Sequence, residues 1–203
     1  MFSIVEKLSL SILLLVCIAS FSWEIIKRVK IVLKGEGSLP FDNIGSRLLR
    51  VFDEFFLQKK VLKQRFIPGL MHAFVFWGFI AFSIITIDHF LRGFNLALFS
   101  DSLRYYYSLI FGLPWSILVF IGIVYLAYRR FYQKPKFLGK KTSYTSGIVA
   151  IFISTLMLTY MIDAFWIISN SHPSNISFKI NWWIHAILIL AFLFLITSFL
   201  VIG

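Results

Sequence analysis

Five stretches of this chain stay apolar long enough to cross a lipid bilayer, which takes about 20 helical residues. They run approximately Leu8–Ile26, Phe66–Phe90, Tyr106–Tyr128, Ser146–Ile168 and Ile180–Val201. Hydrocarbon offers no partner to a backbone N–H or C=O, so each stretch is predicted to close its own hydrogen bonds as an α-helix. The expected fold is therefore an all-α integral membrane protein, a five-helix transmembrane bundle forming a single membrane domain over residues 1–203. Composition supports this: 59% of the residues are hydrophobic, 14% are charged and the mean hydropathy is +0.85, more apolar surface than a soluble core absorbs. The first stretch is read as a retained anchor rather than a cleaved leader. Glu6 and Lys7 precede it, it lacks a small-x-small cleavage site, and it continues into a basic flank.

The net charge of +11 would raise the question of nucleic acid in a soluble protein, but here the placement of the charges answers it. Ten basic residues fall between the first and second apolar stretches (Lys27 to Arg65) and six between the third and fourth (Arg129 to Lys141). The remaining exposed segments share four: Lys7, Arg92, Arg104 and Lys179. Cytoplasmic loops carry such an excess, so both rich loops are expected to be cytoplasmic, with the N-terminus outside and the C-terminus in the cytoplasm. The charge then serves topology and contact with anionic lipid, and no nucleic-acid partner is expected.

Within the first basic loop, Asn43–Lys63 sets Ile44, Leu48, Leu49, Val51, Phe52, Phe55, Phe56 and Val61 among charges. That pattern suits an amphipathic helix on the membrane surface, serving either to set orientation or to dock a cytoplasmic partner.

Ionisable groups inside a bilayer are costly, which makes each one a functional candidate. Of the four histidines, His72 lies about a turn and a half into the second stretch and His185 about one turn into the fifth. At 1.5 Å per residue, His72 should sit roughly 9 Å from the inner face and His185 roughly 6 Å from the outer face of a core about 30 Å thick. Two imidazole nitrogens on one metal stand only about 4 Å apart. His72 and His185 therefore belong to different sites. For the site of His185 the candidate partners are His89, at the outer end of the second stretch, and Met161 on the fourth, since His/His and His/Met pairs both ligate haem. Asp163, the one carboxylate well inside an apolar run, is a candidate proton acceptor for a quinol at the same level, with Asp88, His89 and His172 nearby in depth. The single cysteine, Cys17, cannot build an iron–sulfur cluster, so any cluster belongs to a partner.

Three segments carry a family resemblance: Gln58–Gln64 (QKKVLKQ), Arg65–Phe79 (RFIPGLMHAFVFWGF) and Trp182–Leu193 (WWIHAILILAFL). With their His-x-x-x-x-Trp-Gly-Phe and Trp-Trp-x-His patterns, they resemble the membrane domain similar to the nitrate reductase gamma subunit. That domain stands at the N-terminus of bacterial iron–sulfur oxidoreductases related to heterodisulfide reductase, electron-transfer-flavoprotein:menaquinone oxidoreductases among them. The resemblance implies a multi-pass module of the bacterial cytoplasmic (inner) membrane, resembling cytochrome b, that links a quinone pool to a cytoplasmic iron–sulfur protein or flavoprotein. It also implies one or two b haems, with His72 and His185 matching the helix-two inner and helix-five outer ligand positions. Where the pattern places a second helix-two histidine this chain has Phe82, and where it places a second helix-five histidine it has Gly203. The cysteine-rich domains of the relatives are expected on a separate subunit or on the remainder of a truncated reading frame. The competing expectation is a cofactor-free anchor for a cytoplasmic redox enzyme. A channel is disfavoured because no stretch presents a ladder of polar residues.

Overall fold

A computed structural model describes residues 2–35, 43–135, 144–169 and 175–202, with the side chains of 175 and 196–202 outside that description. His172 and Gly203 lie outside it as well. Every regular element among the described residues is helical: α1 (Ile4–Leu33), α2 (Ile44–Val51), α3 (Lys59–Gln64), α4 (Phe66–Gly93), α5 (Asp101–Tyr107), α6 (Leu113–Tyr128), α7 (Tyr144–Ile168) and α8 (Asn175–Ile202). Single π-helical turns extend α2 over Phe52–Phe56, join α5 to α6 over Ser108–Gly112, and prolong α6 over Arg129–Gln133. Five spans are long and apolar enough to cross a membrane: Ile4–Leu33, Phe66–Gly93, Asp101–Gln133, Tyr144–Ile168 and Ile176–Leu195.

The helices outrun the apolar stretches that announce them. Helix α1 holds 30 residues, about 45 Å of rise against a hydrocarbon core of about 30 Å, so Lys27, Arg28 and Lys30 ride on its basic end. Its start is set by a capping box in which Ser3 and Glu6 each bond the other's backbone N–H, one contact at 2.6 Å and the other at 3.2 Å. The third span likewise begins at Asp101 rather than near Tyr106, because the Ser100 hydroxyl caps it by accepting from the Leu103 N–H at 3.3 Å. That extra turn brings Arg104 into the helix.

The amphipathic segment is not one helix. It breaks between Phe56 and Lys59, where Gln58 adopts a left-handed backbone with φ of 53°. Leu48, Leu49, Phe52 and Phe55 remain exposed along it.

The described residues gather into two compact units, Met1–Leu57 with Ile189–Gly203, and Gln58–Leu188. In the first, the Cys17 thiol points at the Leu190 carbonyl across 3.8 Å and Leu10 is buried. The second contains α3 to α7 and the first half of α8. Small residues let its helices approach closely, the usual device where lipid supplies no hydrophobic drive. A Cβ on Gly78 of α4 would overlap Val119 of α6, and one on Gly122 of α6 would come within 2.8 Å of the Met71 carbonyl oxygen. Its interior is polar in places, with Asp88, Ser108, Ser116, Thr159 and Asn181 all buried, while large apolar side chains such as Phe79, Ile110, Ile151 and Phe165 face outward. This inversion suits a unit whose surroundings are hydrocarbon.

Candidate functional site

At the Gly93 end of α4 a hydrogen-bonded clamp shapes the site. Asp88, 2% exposed, accepts from Arg92 Nε at 2.8 Å and from the backbone N–H groups of Leu98 and Phe99 at 2.8 and 3.0 Å. Arg92, one helical turn along, also donates to the Phe99 carbonyl at 2.7 Å. The turn between α4 and α5 needs this clamp, because the N–H groups of Phe94, Asn95 and Leu96 bond back to α4 carbonyls while those of Leu98 and Phe99 find their partner in Asp88, and Asn95 is left-handed with φ of 61°. Asp88 thus does architectural work, folding the turn back so that α5 meets α4. There the Tyr107 hydroxyl donates to the Ala81 carbonyl at 3.2 Å.

Beside this clamp lies a cavity of about 20 Å3, room for roughly one water, lined among others by Asp88, His89, Arg104, Tyr160, Asp163 and His185. Four helices contribute. Helix α4 offers Ile85, Asp88 and His89 at i, i+3 and i+4, and α8 offers Asn181, Trp182 and His185 at i, i+1 and i+4, so each set turns toward the cavity from one side of its helix. The His89 ring stacks on Trp182 at 4.7 Å and 12°, and meets the His185 ring edge-on at 4.9 Å and 64°. His89 Nε2 is buried without a hydrogen-bond partner. His185 Nδ1 lies 2.6 Å from the hydroxyl of Thr159 on α7.

The opposite wall is ionic. Arg104 donates to Asp163 Oδ2 at 2.6 Å, joining α5 to α7 across 59 residues of sequence, and both side chains are about one-fifth exposed. Tyr160 sits one turn from Asp163, its ring 4.9 Å from Phe82. Its hydroxyl rests against Gly112, where any Cβ would overlap it.

The structure therefore brings His89, His185 and Asp163 to one cavity and leaves His72 elsewhere. His72 is exposed and, 17 residues before His89, lies about 26 Å along α4. Met161 does not line the cavity. Among the described residues no three His, Cys, Asp or Glu side chains converge on one point. Two imidazoles from different helices are, however, the donor set of bis-histidine haem ligation, and an orphaned buried ring nitrogen is the form such a ligand takes. The donor types match that chemistry but the geometry does not: the rings are in contact and the cavity beside them takes roughly one water, so a haem does not fit between them as the helices stand.

Three further members of the site escape a reading of the sequence. Arg104 precedes the apolar stretch it works with. Thr159 and Asn181 are isolated polar residues in apolar runs, and only the rotation of α7 and α8 shows that they face His185.

Comparison with known proteins gives two relatives. The chain is 28% identical over 176 residues to "Probable iron-sulfur-binding oxidoreductase FadF" of Bacillus subtilis (strain 168), a match covering 72% of this chain and 24% of the relative. It is 26% identical over 159 residues to "EtfAB:quinone oxidoreductase" of Syntrophomonas wolfei subsp. wolfei, covering 75% of this chain and 21% of that protein. The chain is thus similar to oxidoreductases and spans less than a quarter of the length of either. No protein-family profile and no solved structure matches it.

Proposed function

We propose that this chain is a membrane electron-transfer subunit resembling cytochrome b, which links a quinone pool to an iron–sulfur oxidoreductase. The observation that carries the reading is the His89–His185 pair: two imidazoles from separate membrane-length helices, their rings 4.9 Å apart beside a polar cavity. The names of the relatives, one iron–sulfur-binding and one acting on quinone, supply the partners. The likeness to the nitrate reductase gamma subunit, the bacterial inner membrane and a cytoplasmic iron–sulfur protein or flavoprotein belong to the same proposal.

In this reading His89 and His185 would hold one b haem once their rings part, and the haem would supply the one-electron chemistry that oxidising a quinol in the membrane requires. Asp163 takes the quinol proton. Arg104 engages its Oδ2, which leaves Oδ1 as the oxygen free to accept and fixes the carboxylate against the cavity. The clamp at Asp88 keeps the turn closed over this wall. Of the five spans, α4 is oriented with its His89 end outward by the positive-inside count, so reporter fusions after Gly139 should read cytoplasmic and those after Ser171 external.

A reduced-minus-oxidised absorption spectrum of the purified chain tests the reading. A haem b signal is expected. Its absence after expression with ample haem would favour the second reading, a cofactor-free anchor for a cytoplasmic redox enzyme, which the direct contact of the two histidine rings also fits.

A further inference from the structure

The cavity walled by α4, α5, α7 and α8 measures about 20 Å3, and a single water needs about 10–15 Å3. Tyr160, 6% exposed, lines it, and its hydroxyl is buried without a hydrogen-bond partner among the described residues. His89 Nε2 is in the same position. Neighbouring groups are already engaged: Asp88 by Arg92, Leu98 and Phe99, and Asp163 Oδ2 by Arg104. Asp163 keeps Oδ1, and it stands one turn from Tyr160 on the same face of α7. A phenol buried dry loses its hydration and gains nothing in return, so the Tyr160 hydroxyl needs a partner. The wall restricts what that partner can be. Arg104 repels a cation and Asp163 repels an anion, so the fit is a neutral molecule, no larger than water, that both donates and accepts.

We infer that this cavity binds one ordered water, which accepts from the Tyr160 hydroxyl and donates to Asp163 Oδ1. Its second hydrogen reaches His89 Nε2 while the two imidazole rings touch. Such a set of partners is the usual complement of a buried water. The water gives the phenol its missing partner and ties α7 to α4. It also places an exchangeable proton beside the one oxygen of Asp163 that Arg104 does not occupy. The site rests on the cavity and its lining alone, needs neither haem nor quinol, and stands unchanged in a cofactor-free anchor.

The test compares the full-length chain in lipid bilayers with Tyr160→Phe, which keeps the ring and removes the hydroxyl. Water-edited solid-state NMR of the tyrosine-labelled wild type should carry magnetisation from water to the Tyr160 ring, buried though it is. A crystal structure of the wild type should show one oxygen within hydrogen-bonding distance of both Tyr160 Oη and Asp163 Oδ1. The melting temperature of Tyr160→Phe should fall. Its sign is informative, because deleting a hydroxyl that has no partner relieves a buried polar group, whereas deleting one that holds a water leaves the water short of a bond. A Tyr160 ring that receives nothing from water, with a melting temperature unchanged or raised in the variant, would overturn the water site. A dry ring with a lowered melting temperature would overturn it equally, by assigning the hydroxyl a protein partner. The wild-type spectrum decides the matter even where the variant fails to insert.

Discussion

The two ends of α4 carry one histidine each, and they differ in every respect that matters to a site. His89 is packed between Trp182 and His185, its Nε2 buried, beside an ion pair supplied by two other helices. His72 faces outward and lines no part of that cavity. Both are expensive residues in a membrane helix, so cost alone does not make a site. Convergence does: at the His89 end the clamp at Asp88 folds α5 against α4, and α7 and α8 add the groups that face the imidazole.

The largest effect expected from this contrast is on haem content. His185→Ala should abolish haem binding at the cavity while the helices still insert, because loss of one imidazole enlarges a cavity that already has polar walls rather than breaking a helix. Retention of the full haem complement would return His185 to a structural role.

Next comes the clamp. Asp88→Ala strips a buried carboxylate from Arg92 and from the two N–H donors of Leu98 and Phe99, and should destabilise the detergent-solubilised protein by about 3 kcal/mol. Thermal unfolding measures it. A loss within about 0.5 kcal/mol, that of an ordinary surface substitution, would show that the turn holds without Asp88.

Gly112→Ala should cost less, about 1–3 kcal/mol, because the new methyl collides with the Tyr160 hydroxyl and Tyr160 has only a side chain to move. A variant as stable as the wild type would place Tyr160 farther from the Ser108–Gly112 turn than the structure does. The smallest effect belongs to His72→Ala, which should leave haem content and melting temperature essentially unchanged. A loss matching that of His185→Ala would erase the distinction between the two ends.

How much of this was legible beforehand depended on which physical quantity carried it. Helix existence follows from apolar length, so all five spans appear in the sequence. Depth follows from rise per residue, which is why His89, His185 and Asp163 fall at one level on paper. Rotation is different. In helices apolar on every side, periodicity does not say which face turns inward, so Thr159 and Asn181 look like ordinary polar interruptions. Helix ends are hidden for another reason. Arg104 falls among the exposed charges in the sequence because hydropathy fades near Tyr106, whereas the Ser100 cap carries the helix one turn further and points the guanidinium at Asp163. The break at Gln58 left no signal either, since neither glycine nor proline marks it.

The proposed function stands or falls on whether one imidazole pair, His89 with His185, binds one b haem. Pyridine haemochrome quantification per polypeptide, on the wild type and on His89→Ala, tests it most directly. A ratio near one is expected, falling to near zero in the variant. A wild-type ratio near zero, or a ratio unchanged when His89 is replaced, would contradict it.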